Sequence, residues 1–376
     1  MQAQEKTGAL AGLTVIEFAG IGPGPYAGMM LADMGAEVIV IDRPPPNPNA
    51  PRNPIHRGKR SIALDLKSES GKATAWQLLE RADALIEGYR PGVMERLGFS
   101  PEAVAARNPK LVFGRITGWG QTGPLAHAAG HDLNYVALTG VTHMAAPTGT
   151  PPELPATIIG DMGGGAMFLL YGLMCALFSA QHTGRGQVVD AAMTDGVASL
   201  SALTHAMRAT NQWPDDPQRS AFLHEAPYFN VYECADGRFV TFGALERPFY
   251  CELLARLGIS DVDPDQQDEW QQWPALKARI AQIVKSKTQR EWCGVLEGTD
   301  ACFAPVLTPE EAAAHPHNVA RGTFANVAGH TQVAPAPRLS ESQSRPRSQG
   351  IRPGEHTAEI LKWLDRDSQH SDEKAQ

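Results

Sequence analysis

Residues 13–42, LTVIEFAGIGPGPYAGMMLADMGAEVIVID, decide the fold. The runs at 13–18 (LTVIEF) and 36–41 (AEVIVI) are short, apolar and rich in β-branched residues, as buried strands are. Between them a Gly/Pro turn leads into the helical stretch YAGMMLADMG. Strand, helix and strand in so short a span imply a parallel pair, because parallel strands need a crossover connection. The pattern continues past Ile62 into DLK, then a helix at 70–81, a strand at 84–89 (ALIEGY), a short helix at 101–107 and a strand at 111–118 (LVFGRITG). Such alternation predicts a large doubly wound, Rossmann-like α/β domain.

Further along, residues 161–181 and 189–210 read as two long helices rich in Ala, Met and Leu. The stretch 211–227 is polar and carries prolines. After it FNVYECADGRFVTFGA (229–244) reads as a β-hairpin turned at Asp236-Gly237. Helices expected at 247–257, 274–286 and 288–297 complete a smaller α+β domain. The expected division is a large domain at 1–210, a linker at 211–228, a small domain at 229–325, and a return linker and C-terminal segment at 326–376 that rejoins the large domain. The tail at 340–354 is rich in Ser, Gln, Arg and Pro; a short helix is expected at 356–365, with a frayed end beyond it.

Composition narrows the function. With 376 residues, 43% hydrophobic, the chain has ample core, and whole-chain disorder is excluded. A formal charge of −8 disfavours nucleic acid, since the noticeable basic cluster, Arg57-Gly58-Lys59-Arg60, is too small for a duplex. Five scattered cysteines make neither a CxxC pair nor a zinc spacing, so no metal site is expected and a reducing, cytoplasmic setting is. MQAQEKTGALAG lacks the pattern of a signal peptide. The apolar run at 166–180 is short of the roughly 20 residues that span a bilayer, so it reads as a core helix and no membrane insertion is expected.

Gly22-Pro23-Gly24-Pro25-Tyr26-Ala27 fits G-x-G-x-x-A, and Asp42 ends the second strand where a ribose-binding acid would stand. Prolines at 23 and 25 remove two of the backbone donors that cradle a pyrophosphate. Proline is comfortable in a first helical turn, so a rigid strand-to-helix turn is the better reading.

Other motifs share an order along the chain: GLTVIEFAGIGPGPYAGMMLADMGAEVIVIDRP, EGYRPGVMERLG, ITGWGQTGP, GHDLNY, GDMGGG, GRGQVVDAAMTDG, YECADGRFV and PGEHTAEIL. They resemble the family III CoA-transferases over most of residues 10–325, and the closing PGEHTAEIL is similar to that family's end. GHDLNY followed by GDMGGG is similar to the branch that racemises α-methylacyl-CoA thioesters. The transferase branch keeps an aspartate at the position of Asp161, where it is acylated, and generally lacks a histidine like His131.

The chemistry fits that branch. Inverting a carbon α to a thioester removes a proton from one face and returns one to the other, so two acid/base groups are the minimal equipment. The resemblance assigns them to His131 and Asp161, with Glu246 hydrogen-bonded to the imidazole. Read locally, Asp161 before Gly163-Gly164-Gly165 is also a good helix N-cap. Three glycines weaken a helix by roughly 1 kcal/mol each against alanine, which suggests a ligand approaching the backbone, with free amides able to hold the enolate oxygen. Nothing local marks His131 or Glu246; a solvated histidine and a surface glutamate are the plain alternatives.

For the CoA moiety the resemblance points to Arg43, Leu64, Lys67, Gly88, Tyr89, Arg90, Arg96, Gly130, Asp132, Asn134 and Tyr135. Arg43 and Arg90 follow strands, at the carboxyl edge where α/β sheets bind ligands. Arginine donates paired hydrogen bonds to phosphate, although each of these residues also suits a solvated surface. Trp119 and Met29, Met30, Met162 and Met167 are candidates for an acyl pocket or simply for core. The resemblance further implies an interlocked homodimer, an acyl-CoA substrate and no cofactor beyond the CoA of that substrate. The alternatives are a CoA-transferase using Asp161 as nucleophile, and a non-catalytic acyl-CoA binder.

Overall fold

The computed structural model describes residues 8–44, 49, 51–145, 151–214, 216–346 and 348–374. Residues 1–7, which bear on the signal-peptide reading, lie outside the described residues, as do the last two. The chain divides into two units: Met1–Thr139, Pro155–Leu200 and Pro316–Gln376 form one, Gly140–Leu154 and Ser201–His315 the other.

The larger unit runs β1 (Thr14–Phe18), α1 (Pro23–Asp33), β2 (Glu37–Asp42), β3 (Arg60–Ala63), α2 (Glu69–Leu79), β4 (Ala84–Glu87), α3 (Val93–Leu97), α4 (Pro101–Arg107), β5 (Val112–Thr117) and α5 (Asp132–Leu138). A π-helical stretch, Ile158–Met167, continues as α6 (Phe168–Thr183), followed by β6 (Val188–Ala192) and α7 (Met193–Leu200). The smaller unit holds α8 (Ala202–Ala209), β7 (Phe229–Glu233), β8 (Phe239–Gly243), α9 (Arg247–Arg256), α10 (Trp273–Val284), α11 (Gln289–Leu296), β9 (Phe303–Pro305) and α12 (Pro309–Ala314). The chain then returns to the larger unit with α13 (Pro316–Arg321), β10 (Phe324–Val327), β11 (His330–Val333) and α14 (Thr357–Lys374).

As the alternation predicts, the large sheet is parallel, in the order β3-β2-β1-β4-β5-β6. Side chains alternate across each strand. Val15, Val38 and Ile86 pack under α1 and α6 through Ala27, Leu31, Leu169 and Leu173. Ile16, Ile39 and Leu85 pack on the other face against Leu78 and Leu79 of α2 and Ile360 and Leu364 of α14. The order reverses between β1 and β4, so their carboxyl ends flank the crevice where such sheets take ligands.

The smaller unit has an antiparallel sheet β7-β8-β9 over a core that includes Tyr250, Leu253, Ile280 and Trp292. Its first hairpin turns at Gly237, φ 77°, as expected of Asp-Gly. β9 was not foreseen.

Several elements differ from expectation. The helix expected at 189–210 starts as β6, because Val188 and Val189 pair with Phe113 and Gly114. Gly172 makes room for that strand: a Cβ there would lie 2.5 Å from Val189. The helix expected from 161 begins three residues earlier, at Ile158. Its glycines serve helix packing, since a Cβ on Gly164 would lie 2.5 Å from Val197 and one on Gly196 1.9 Å from the Gly164 carbonyl. The return segment is more ordered than expected. It contributes the β10–β11 hairpin, and α14 extends well past 365.

That segment also closes the free edge of the sheet. His356 Nδ1 accepts from the Ser61 amide at 3.2 Å and Thr357 Oγ1 from the Ala63 amide at 3.0 Å, satisfying edge donors of β3. The apolar run at 166–180 lies within a joined helix, Ile158–Thr183, whose 26 residues are by length and composition enough to cross a bilayer. One of its faces packs on the sheet. The opposite stripe, Met167, Tyr171, Cys175 and Phe178, is open, with Tyr171 71% and Phe178 67% exposed.

Candidate active site

The site is built at the carboxyl edge of β4 and β5 and the start of α5. Gly88, Tyr89 and Arg90 follow β4, Gly118 and Trp119 follow β5, and Gly130, His131 and Tyr135 close a cavity of about 190 Å³ with them. The Tyr135 hydroxyl donates to the Gly130 carbonyl, and its ring meets Trp119 edge-on at 4.7 Å between centroids. Both contacts brace the loop that delivers His131. The Trp119 indole nitrogen is buried and has no hydrogen-bond partner among the described residues.

His131 is the N-cap of α5, in extended backbone at φ −136°, with its ring exposed. Its amide donates to Asn134 Oδ1 at 3.0 Å, so Asn134 fixes the start of the helix. Asp132, next along, is buried, and its Oδ1 accepts from the Asp161 amide at 2.7 Å. One carboxylate thereby ties the element bearing His131 to the element bearing Asp161.

Asp161 stands in the first turn of the π-helical stretch; the N-cap is Thr157, in the left-handed region at φ 65°. The N-cap alternative for Asp161 is therefore corrected. The proposed use of free amides for an enolate fails at the two nearest positions: Asp161 N–H goes to Asp132 and Met162 N–H to the Thr157 carbonyl. The Asp161 carboxylate borders the first turn of α1, where a Cβ on Gly22 would lie 3.3 Å from its Oδ2. Burial holds this carboxyl above the usual aspartate range; the Asp132 charge adds to the rise and His131 opposes it. Burial likewise raises the Tyr135 phenol, with Asp161 adding and Arg90 opposing. His131, Asp161, Tyr135 and Arg90 thus share one electrostatic environment.

The turn that imitates a dinucleotide site is occupied by its own structure. Tyr26 N–H bonds the Gly22 carbonyl, and the Pro25 carbonyl accepts from Lys59 Nζ at 2.8 Å. Asp42 Oδ2 accepts from the Ser61 hydroxyl at 2.7 Å.

Arg43, Lys67, Arg90 and Arg96 are exposed, and no ion pair to any of them occurs among the described residues. Arg43 acts on the Tyr89 phenol, lowering it against a larger rise from burial, which puts it beside the cavity lining. Leu64 is core, packed with Ile41 and Leu78. Met29 is buried in the core and Met30 packs against it, whereas Met167 is open to solvent. Glu246 lies in the smaller unit, exposed, as N-cap of α9. Among the described residues no cluster of His, Cys, Asp and Glu could hold a metal ion.

Some buried charges went unremarked in the sequence: Glu17, Glu87 and Arg115. A charged residue inside an apolar strand is the signal that finds them.

The profile of CoA-transferase family III matches residues 10–357. The chain belongs to that family. It is 40% identical to the α-methylacyl-CoA racemase of Mus musculus, over 94% of this chain and 92% of that one. It is 31% identical to the acetyl-CoA:oxalate CoA-transferase of Acetobacter aceti, over 86% and 87%. A family III relative solved from Brucella suis, a CAIB/BAIF family protein, superposes with a TM-score of 0.81 at 25% identity, covering 95% of this chain and all of that one. Relatives with both names therefore match this chain, and the site has to distinguish them.

Proposed function

We propose that this enzyme is an α-methylacyl-CoA racemase, interconverting the (2R) and (2S) thioesters by 1,1-proton transfer through an enolate. The observation that carries the reading is the pairing of His131 and Asp161 through Asp132, with the Asp161 carboxyl held above its ordinary range. In one direction His131 takes the α-proton and neutral Asp161 returns one on the other face; in the reverse direction the roles exchange. A raised carboxyl suits that acid role. Glu246 is proposed to orient the imidazole and favour its charged form.

Arg43, Lys67, Arg90 and Arg96 are proposed to meet the phosphates and adenosine of CoA. Gly88, Tyr89, Gly130 and Tyr135 would line the pantetheine path, with Asn134 fixing the α5 start. Coenzyme A enters as part of the substrate, and proton transfer at that carbon calls for no other cofactor. A homodimer, twice the 40.5 kDa chain, is proposed; the open apolar stripe on α6 supports a partner chain over it. Cysteines free of disulfides support a reducing compartment such as the cytoplasm.

The second reading is a CoA-transferase, favoured by the match to the Acetobacter aceti enzyme. There an ionised Asp161 oxygen would bond the thioester carbon as the CoA thiolate leaves. Burial of that carboxyl works against it. Intact-mass measurement after mixing with 2-methylacyl-CoA separates the two: racemisation leaves the chain mass unchanged, while an acyl or CoA adduct on Asp161 decides for transfer. Alanine at His131 or Asp161 should cost about 10²–10⁴-fold in epimerisation.

A further inference from the structure

Glu87 ends β4 with no exposed surface, and Arg115 is its register partner on β5. Arg115 Nε donates to Glu87 Oε1 at 2.7 Å, and its terminal nitrogens donate to the two Glu95 oxygens at 2.9 and 3.3 Å. The second Glu87 oxygen accepts from the Tyr89 amide at 2.7 Å. The guanidinium therefore joins the end of β4 to α3, and the Glu87 carboxylate adds the turn between them. Burying charges is costly, and apolar replacement of such a set is commonly neutral or favourable for stability, so folding alone does not account for it.

What the set holds still is the segment bearing two exposed arginines. Arg90 directly follows Tyr89, whose amide Glu87 anchors, and Arg96 follows Glu95 on α3. A Cβ on Gly92, φ 82°, would lie 3.2 Å from Arg96 Nη1, so that guanidinium folds over the turn's own backbone. Arg115 itself is buried, about 6% exposed.

We propose that Arg115, clamped between Glu87 and Glu95, is a positioning residue that sets the spacing of Arg90 and Arg96 for the phosphates of a CoA thioester. The inference rests on the reading of Arg90 and Arg96 as CoA-phosphate ligands. It assigns the effect of Arg115 to binding of the CoA phosphates rather than to proton transfer at His131 and Asp161.

The test measures kcat and KM of the full-length enzyme, Arg115→Lys and Glu95→Gln on 2-methylacyl-CoA and on the same acyl group carried by pantetheine, which lacks the nucleotide phosphates. Lysine keeps the charge and loses the planar fork. KM for the CoA thioester should rise about tenfold in Arg115→Lys and about threefold in Glu95→Gln. For both variants kcat should stay within about twofold, and neither should alter kcat/KM on the pantetheine thioester. Equal losses on the two substrates, or a fall in kcat at constant KM, would overturn the positioning role. Should Arg115→Lys not fold, Glu95→Gln, altered at a partly exposed carboxylate, decides alone. A parent enzyme with no preference for CoA over pantetheine overturns the CoA reading and this inference with it. A parent with that preference and variants that keep it overturn the inference only.

Discussion

In the run at 57–60, Arg57 is paired to Asp33, Lys59 to Glu17, and Arg60 to Glu37 and Glu359. Arg43, Lys67, Arg90 and Arg96, in the same unit, stand exposed with no carboxylate partner among the described residues. The first set is contiguous in sequence and consumed by the fold. Arg57 also donates to Gln332 Oε1 and the Val333 carbonyl, fastening the β10–β11 hairpin, and Lys59 holds the first turn of α1. The second set is scattered in sequence and set along one side of the sheet. Arg43, Lys67 and Arg90 follow β2, β3 and β4, and Arg96 lies on the next helix. A parallel sheet brings the ends of its strands to one edge, so residues far apart in the chain meet there. If the second set meets the CoA phosphates as proposed, position after a strand is a better guide to the anion site in this fold than clustering along the chain.

Removing a member of each set should separate them. Lys59→Met leaves Glu17 buried and unpaired, with both side chains fully enclosed in the parent. It should cost about 3–5 kcal/mol in urea unfolding, while KM per folded molecule stays put. Arg90→Ala and Arg96→Ala should each raise KM for the CoA thioester about 10-fold, the scale of one charge-assisted contact, and shift stability by less than about 0.5 kcal/mol. If Lys59→Met raised KM and Arg96→Ala lowered stability instead, the division between the two sets would be lost.

The smallest effect concerns a carboxylate in the site. The Asp161 carboxyl is raised in the folded chain, so the folded state keeps its proton where the unfolded state, near 3.8, has released it. The stabilisation from that proton is full below the unfolded value and is lost as pH rises through the folded one. Asp161→Asn should thus gain stability relative to the parent between pH 4 and pH 7 while losing racemisation. Urea midpoints at the two pH values check it, and an unchanged difference would remove the argument for a neutral acid at 161.

The same contrast explains what the sequence disclosed. The stretch 13–42 was legible because strand, turn and helix each obey a local rule, and the Asp236-Gly237 hairpin was legible for the same reason. Residues 189–192 read as the start of a helix because Val189 leads into a stretch rich in Ala, Met and Leu, and only pairing with β5 makes them strand. The β10–β11 hairpin turns at Ala328 and Gly329, φ 52° and 85°, without the Asn-Gly or Asp-Gly signal. The glycines at 163–165 hinted at a ligand but answer to α7, a contact between distant segments. For the site, the motifs led to His131 and Asp161. The Asp132 link between them and the Glu87–Arg115–Glu95 set depend on tertiary neighbours that local patterns do not encode.

The most direct test incubates a single enantiomer of a 2-methylacyl-CoA with the enzyme in D2O and follows α-deuterium content together with the epimer ratio. Racemisation by the His131–Asp161 pair predicts deuterium uptake with convergence on a one-to-one mixture. Neither exchange nor epimerisation, with CoA passing to an added free acid, would contradict it and turn the assignment to a transferase.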